Sequence, residues 1–145
     1  MKQIVIAFFM FLASTIVSAQ CINEIKVVGV IDGDTLRAEM AGMPSPLNRV
    51  SIRISGIDTP EMKGQCDSEK EKARAAKNFL SKKLSSTRAV TFGALDWDKY
   101  GGRILAEVYF DGQDVGQMMI DSGYATPFRG GKKNSRWCIP SITLP

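Results

Sequence analysis

The stretch Ser51–Glu61, SIRISGIDTPE, decides how the rest of the chain is read. Ile52 and Ile54 alternate with Ser51, Arg53 and Ser55, so a strand built here has one apolar face and one polar face that carries an arginine. Val50 extends the apolar face upstream. After Gly56 the alternation gives way to Asp58, Thr59, Pro60 and Glu61, two carboxylates on either side of a Thr-Pro pair. Proline holds the residue before it extended, which lets the Thr59 carbonyl turn toward the same point as the Asp58 carboxylate. A strand that ends in this way delivers a guanidinium beside an acidic loop.

Upstream, EIKVVGVIDGDTLRA (Glu24–Ala38) is rich in β-branched residues and breaks at Asp32-Gly33, a hairpin signal that predicts two paired strands. Asp34 is expected just past the turn, where its side chain can point across the sheet. A Gly- and Pro-containing loop, MAGMPSPLN, separates this hairpin from the Val50–Ser55 strand. Downstream the period changes. Ala73, Ala76, Phe79, Leu80 and Leu84 fall on one face of a helix over Asp67–Leu84, with Ser68 and Glu71 as its capping box. RAVTFGAL and RILAEVYF read as two further strands joined by DWDKYGG, and GQDVGQMMIDSGYA as a short helix stopped near Gly123. The tail from Thr126 is basic and is expected to be irregular. Five strands, with one helix after the third and another after the fifth, predict an α+β fold. Its expected form is a small, closed or partly open antiparallel barrel, of which the OB-fold is the commonest five-stranded kind.

The chain has 145 residues, and the first 19, MKQIVIAFFMFLASTIVSA, combine an early lysine, a short apolar run and small residues at Val17–Ala19. That pattern is a secretory signal peptide rather than an uncleaved anchor, and it predicts export to the periplasm or the medium with no stable membrane association after cleavage. Residues 20–145 then form a single domain, with a core over 25–125, a short basic tail over 126–145, and a monomer as the default state. Without Lys2, 18 basic residues face 15 acidic ones, a net charge of about +3 that favours anionic partners. Cys21, Cys66 and Cys138 all survive cleavage and allow three pairings. Cys66 with Cys138 is favoured, because Cys21 sits at a terminus prone to fray; buried free thiols are the alternative. The sequence contains no histidine, which excludes imidazole acid–base chemistry, histidine-based triads and imidazole zinc sites.

The groups left for chemistry are carboxylates and guanidiniums. Asp34, Asp58 and the Thr59 carbonyl are all oxygen donors, a set that suits Ca²⁺ or Mg²⁺ over zinc or copper. The plain alternative is that Asp-Gly is good turn chemistry and that each aspartate pairs with a lysine. Arg53, with Arg103 just after two glycines, could clamp a phosphoryl group by bidentate contacts, although a carboxylate substrate would fit the same clamp. Glu61 could deprotonate a water, or it could only support the loop around a metal.

With these residues assembled, the chain resembles the staphylococcal nuclease family of calcium-dependent phosphodiesterases on an OB-fold barrel. The motifs VIDGDT, RISGIDTPE and DKYGGR occur in family order between about Ile25 and Ala125. The resemblance implies a calcium ion held by Asp34, Asp58 and the Thr59 carbonyl. It implies that Arg53 and Arg103 bind the scissile phosphate and stabilise its transition state, with Glu61 as the proposed base. Lys99 and Tyr100 resemble residues that contact a terminal phosphate of the product. DNA and RNA are the implied substrates, cut with little sequence preference. One departure is the extra glycine in KYGGR against the commoner KYGR, and another is the segment after Tyr124, onto which the family's stacking tyrosines are not carried. A Cys66–Cys138 link would tie that segment to the barrel. Two readings compete with the nuclease. One is a catalytically inactive nucleic-acid-binding OB-fold module; the other is an extracellular calcium-binding module, which leaves both arginines without a task.

Overall fold

A computed structural model describes residues 25–98, 102–131 and 137–138. The expected signal peptide, Cys21, Lys99 and Tyr100 lie outside the described residues. The β-branched N-terminal run forms β1 (Ile25–Asp32) and β2 (Thr35–Met40), paired antiparallel with Asp32 opposite Thr35. The turn between them is Gly33-Asp34, so Asp34 belongs to the turn itself and not to the restarted strand. The alternating segment forms β3 (Arg49–Ile54), which buries Ile52 and Ile54 and pairs antiparallel with β2, Arg53 standing opposite Thr35. A two-residue strand, β4 (Ile57–Asp58), follows at once.

The Lys- and Ala-rich segment, free of glycine and proline, forms α1 (Asp67–Ser86). Ala73, Ala76 and Leu80 are fully buried beneath it, while Phe79 and Leu84 pack at the edge of the core. The expected capping box is not formed. The N-cap is Cys66, without a side-chain cap, and Ser68 lies inside the helix. Then come β5 (Val90–Trp97) and β6 (Arg103–Phe110), paired antiparallel, and a short β7 (Gln113–Asp114) against the end of β6. The second helix, α2 (Val115–Asp121), starts at Asp114, whose side chain accepts the Gln117 N–H at 3.0 Å. It is followed by Gly123, whose φ of 75° suits glycine.

The pairings run β1-β2-β3-β6-β5, which makes this an α+β fold with the strand order of an OB-type sheet and two helices. One expectation is corrected: β3 and β6 are parallel, Ser51 facing Arg103 and Arg53 facing Leu105, so the sheet is mixed and not wholly antiparallel. A chain that leaves β3, crosses through α1 and then makes the β5–β6 hairpin returns to β3 in the same direction, and parallel neighbours require such a crossover. The tail is also more regular than expected. β8 (Thr126–Pro127) pairs with β4, and the Phe128 N–H donates to the Gly56 carbonyl at 2.8 Å.

Leu36, Ile52, Ile54, Leu80, Val108, Val115 and Met119 form the fully buried centre, where each large aliphatic chain contributes about 1.5–3 kcal/mol of hydrophobic stabilisation. Trp137 and Cys138 lie against the start of α1. A disulfide joins Cys66 to Cys138, and the Trp137 carbonyl accepts from Ser68 Oγ at 3.2 Å and Lys72 Nζ at 3.1 Å.

Candidate active site

The polar face of β3 opens toward the β1–β2 turn on one side and the start of β6 on the other, and this placement assembles the site. Asp34 is only 3% exposed, because the turn is packed down: the Ile54 N–H donates to the Asp34 carbonyl at 2.8 Å and Thr35 Oγ1 donates to Asp34 Oδ1 at 2.9 Å. Gly33 permits that packing. A Cβ at this position would stand 2.9 Å from the Ala76 Cβ and 3.1 Å from the Thr59 Cβ, so the turn rests directly on α1 and on the acidic loop. Gly33→Ala is therefore expected to destabilise the fold by about 1–3 kcal/mol through overpacking, read as a lower urea midpoint with an unchanged slope.

Opposite Thr35, Arg53 extends its guanidinium between two carboxylates. Nη1 lies 2.6 Å from Asp34 Oδ1, Nη2 lies 4.0 Å from Asp58 Oδ1, and Nη2 donates to the Ile57 carbonyl at 3.2 Å. Asp58, also 3% exposed, is set in place by β4, where it pairs with Thr126. The two aspartates thus do converge, and the charge between them is the arginine. Carboxylates brought together need a cation near them. The same logic acts on Asp32, whose carboxyl is held above its ordinary range by burial and, next, by the neighbouring Asp34 carboxylate.

A cavity of about 610 Å³ lies above this group, and Asp34, Arg53, Glu61 and Arg103 all line it. Asp58 and Thr59 are buried and do not. Arg103 enters the cavity from the first residue of β6, its Nε donating to Asp98 Oδ2 at 2.7 Å. The extra glycine of the KYGGR segment does not carry Arg103 away. Gly102 takes a φ of 67°, and Arg103 falls into register with Ser51 on the face that carries Arg53. Glu61 follows Pro60 in an exposed turn closed by the Gly64 N–H donating to the Glu61 carbonyl at 2.9 Å. The side chains that converge here offer oxygen donors and guanidinium forks. Carboxylate oxygens are the donors a hard divalent cation prefers, and the forks suit an anionic group with two accessible oxygens.

Sequence reasoning missed Asp98, which orients Arg103, and Asp32 and the 68%-exposed Trp97, which share the cavity. It also missed Glu69, 8% exposed, whose carboxylate accepts from the backbone of the acidic loop. Asp98 carried a signal, since it precedes Lys99 within the motif itself. Glu69 carried none, being one of several charged residues in a lysine-rich helix.

The family model described as "Staphylococcal nuclease homologue" matches residues 51–137, which include Arg53, Asp58, Glu61 and Arg103. The chain belongs to the staphylococcal nuclease family. Two curated relatives each match about two thirds of the chain. A protein of Escherichia coli named "Uncharacterized endonuclease" is 35% identical over 101 residues, covering 69% of this chain and 58% of its own length. An uncharacterized protein of Bacillus anthracis is 33% identical over 102 residues, covering 68% of this chain and 44% of its own. The chain spans about half the length of these relatives. Both arginines of this staphylococcal nuclease homologue are held by aspartates on neighbouring segments, so the guanidinium planes are fixed before any ligand arrives.

Proposed function

We propose that the chain is a divalent-cation-dependent nuclease that hydrolyses the phosphodiester backbone of DNA or RNA with little sequence preference. Ca²⁺ is the proposed ion, held by Asp34, Asp58 and the Thr59 carbonyl, and Mg²⁺ the alternative. The observation that carries this reading is the meeting of Asp34 and Asp58 at the Arg53 guanidinium, beneath a cavity that Glu61 and Arg103 also line. Calcium, when bound, would supply positive charge that polarises a phosphoryl oxygen and a nearby water.

The chain's own residues do the rest. Arg53 holds Asp34 through Nη1, and a cation at Asp34 would share that carboxylate with it, while the guanidinium plane would offer N–H groups to a phosphoryl oxygen. Arg103, oriented by Asp98, offers the second guanidinium from the neighbouring strand. Preorganised donors of this kind act most strongly where charge accumulates, on the non-bridging oxygens of the transition state. Glu61, one of the carboxylates that line the cavity, would accept a proton from the attacking water, a role no histidine is present to fill. A clamp made of arginine forks would hold backbone phosphate, and phosphate contacts position a nucleic acid without reading its bases, hence the low sequence preference proposed. Export through the first 19 residues is part of the proposal, and the Cys66–Cys138 bridge supports an oxidising compartment.

The test incubates purified protein with plasmid and with single-stranded DNA, in Ca²⁺, in Mg²⁺ and in chelator. Cleavage in calcium that chelator abolishes is the expected result. Chelator-insensitive cleavage would remove the metal from the scheme. Tight binding without cleavage in any metal would replace the nuclease with a nucleic-acid-binding module.

A further inference from the structure

We propose that Glu69 is a positioning residue for Glu61, clasping both ends of the Glu61–Gln65 turn with the two oxygens of one buried carboxylate. The inference rests on the reading of Glu61 as the group that accepts the proton of the attacking water. Oε1 accepts the Glu61 N–H at 3.3 Å and Oε2 accepts the Gln65 N–H at 2.9 Å. The Gly64 N–H, donating to the Glu61 carbonyl at 2.9 Å, closes the turn between them. The backbone that carries Glu61 is therefore fixed from outside the cavity by a side chain eight residues further on.

An ordinary helix cap does not explain this arrangement. With Cys66 as N-cap, Glu69 is the third helical residue, and in a capping box that residue reaches back to the N-cap amide. Glu69 instead reaches past it, to Gln65 and Glu61. Burying a carboxylate is unfavourable unless its oxygens are satisfied, and among the described residues no lysine or arginine pairs with this one. Charge-assisted bonds to backbone amides are the compensation, and they are about twice as strong as neutral ones.

Two neighbours tighten the clasp. Gly64 lies so close that a Cβ there would stand 2.4 Å from the Glu69 carboxylate, so any other residue would have to displace that side chain. On the other side, the Cys138 sulfur is 3.9 Å from Oε2, so the bridge to Cys66 covers the carboxylate against water. Water exclusion strengthens hydrogen bonds to a charged acceptor.

The experiment uses the full, oxidised protein and follows plasmid cleavage in calcium, at a temperature below the melting midpoint of every variant. Glu69→Gln keeps the size of the side chain but turns an amide hydrogen toward one of the two N–H donors. It is expected to lower kcat by about 10²-fold, the cost of a misplaced catalytic group, with KM changed less than about twofold, since phosphate is bound by the arginines. Gly64→Ala, whose added Cβ presses on the Glu69 carboxylate and parts it from the turn while leaving its charge in place, is expected to give the same kcat-selective loss. In a Glu61→Gln background neither change should cost more, because both act through Glu61. Losses that add to that of Glu61→Gln, or that fall on KM or the melting midpoint alone, overturn the proposal. So does full activity of Glu69→Gln beside an inactive Glu61→Gln, which leaves the role of Glu61 standing. An active Glu61→Gln enzyme would instead remove that underlying role, and the clasp with it.

Discussion

Arg53→Lys is expected to lower kcat by roughly 10²–10³-fold while the protein stays folded and its net charge stays the same, a loss of the size seen when one preorganised donor is removed from a transition state. The reason is geometric. Arg53 divides its two terminal nitrogens between Asp34 on one side and Ile57 and Asp58 on the other, bridging the β1–β2 turn and β4 with one rigid plane. An ammonium is a single point with no plane, so a lysine satisfies one side and abandons the other, and it cannot present two parallel N–H bonds to a phosphate. Because the arginine side chain is only 11% exposed, the displaced partner is not simply rehydrated. Circular dichroism shows whether the fold is kept, and single-turnover kinetics shows where the loss falls. Near-normal turnover by the lysine variant would count against the clamp.

The second large effect concerns stability. Removing the Cys66–Cys138 bridge, by Cys138→Ser or by reduction, frees a loop with a sequence separation of 72 residues. Loop-closure entropy for a ring of that size predicts a loss of about 4 kcal/mol, a large share of the roughly 5–15 kcal/mol that stabilises a domain. The structural loss is local. The Trp137 carbonyl would leave Ser68 and Lys72, and the cover over Glu69 would open. Urea unfolding with and without reductant measures the change. The intact mass of the protein purified without reductant is expected to lack the two hydrogens of one thiol pair; a mass with both thiols free would withdraw the bridge.

How much of this was legible beforehand depends on the distance over which each feature is decided. The β1–β2 hairpin, the apolar face of β3 and the buried stripe Ala73, Ala76, Leu80 follow from alternation, turn chemistry and helical period. Those signals are written within a few residues, and the structure kept them nearly unchanged. The acidic loop and the arginine were visible for the same reason, since a proline and a strand end fix their neighbours locally.

Other features were settled only by pairing. Nothing in β3 or β6 alone says that they run parallel, nor that the tail returns as β8 to hold Asp58 through Thr126. Asp34 moved from the strand into the turn because Gly33 can pack on Ala76 and Thr59, a contact made across the fold. The capping box at Ser68 and Glu71 failed because the tail strap and the Glu69 clasp take over the start of α1.

The sequence by itself thus determined the five long strands and the two helices, the absence of histidine and the set of oxygen and guanidinium groups available for chemistry. Only the tertiary structure decided that Arg53 stands between Asp34 and Asp58, that Asp98 aims Arg103, and that Glu69 faces inward to the turn before it. The physical reason is that a side chain's local conformation is biased by its immediate neighbours, whereas its charge partner is chosen by whichever distant backbone the packed core brings within about 3 Å of it.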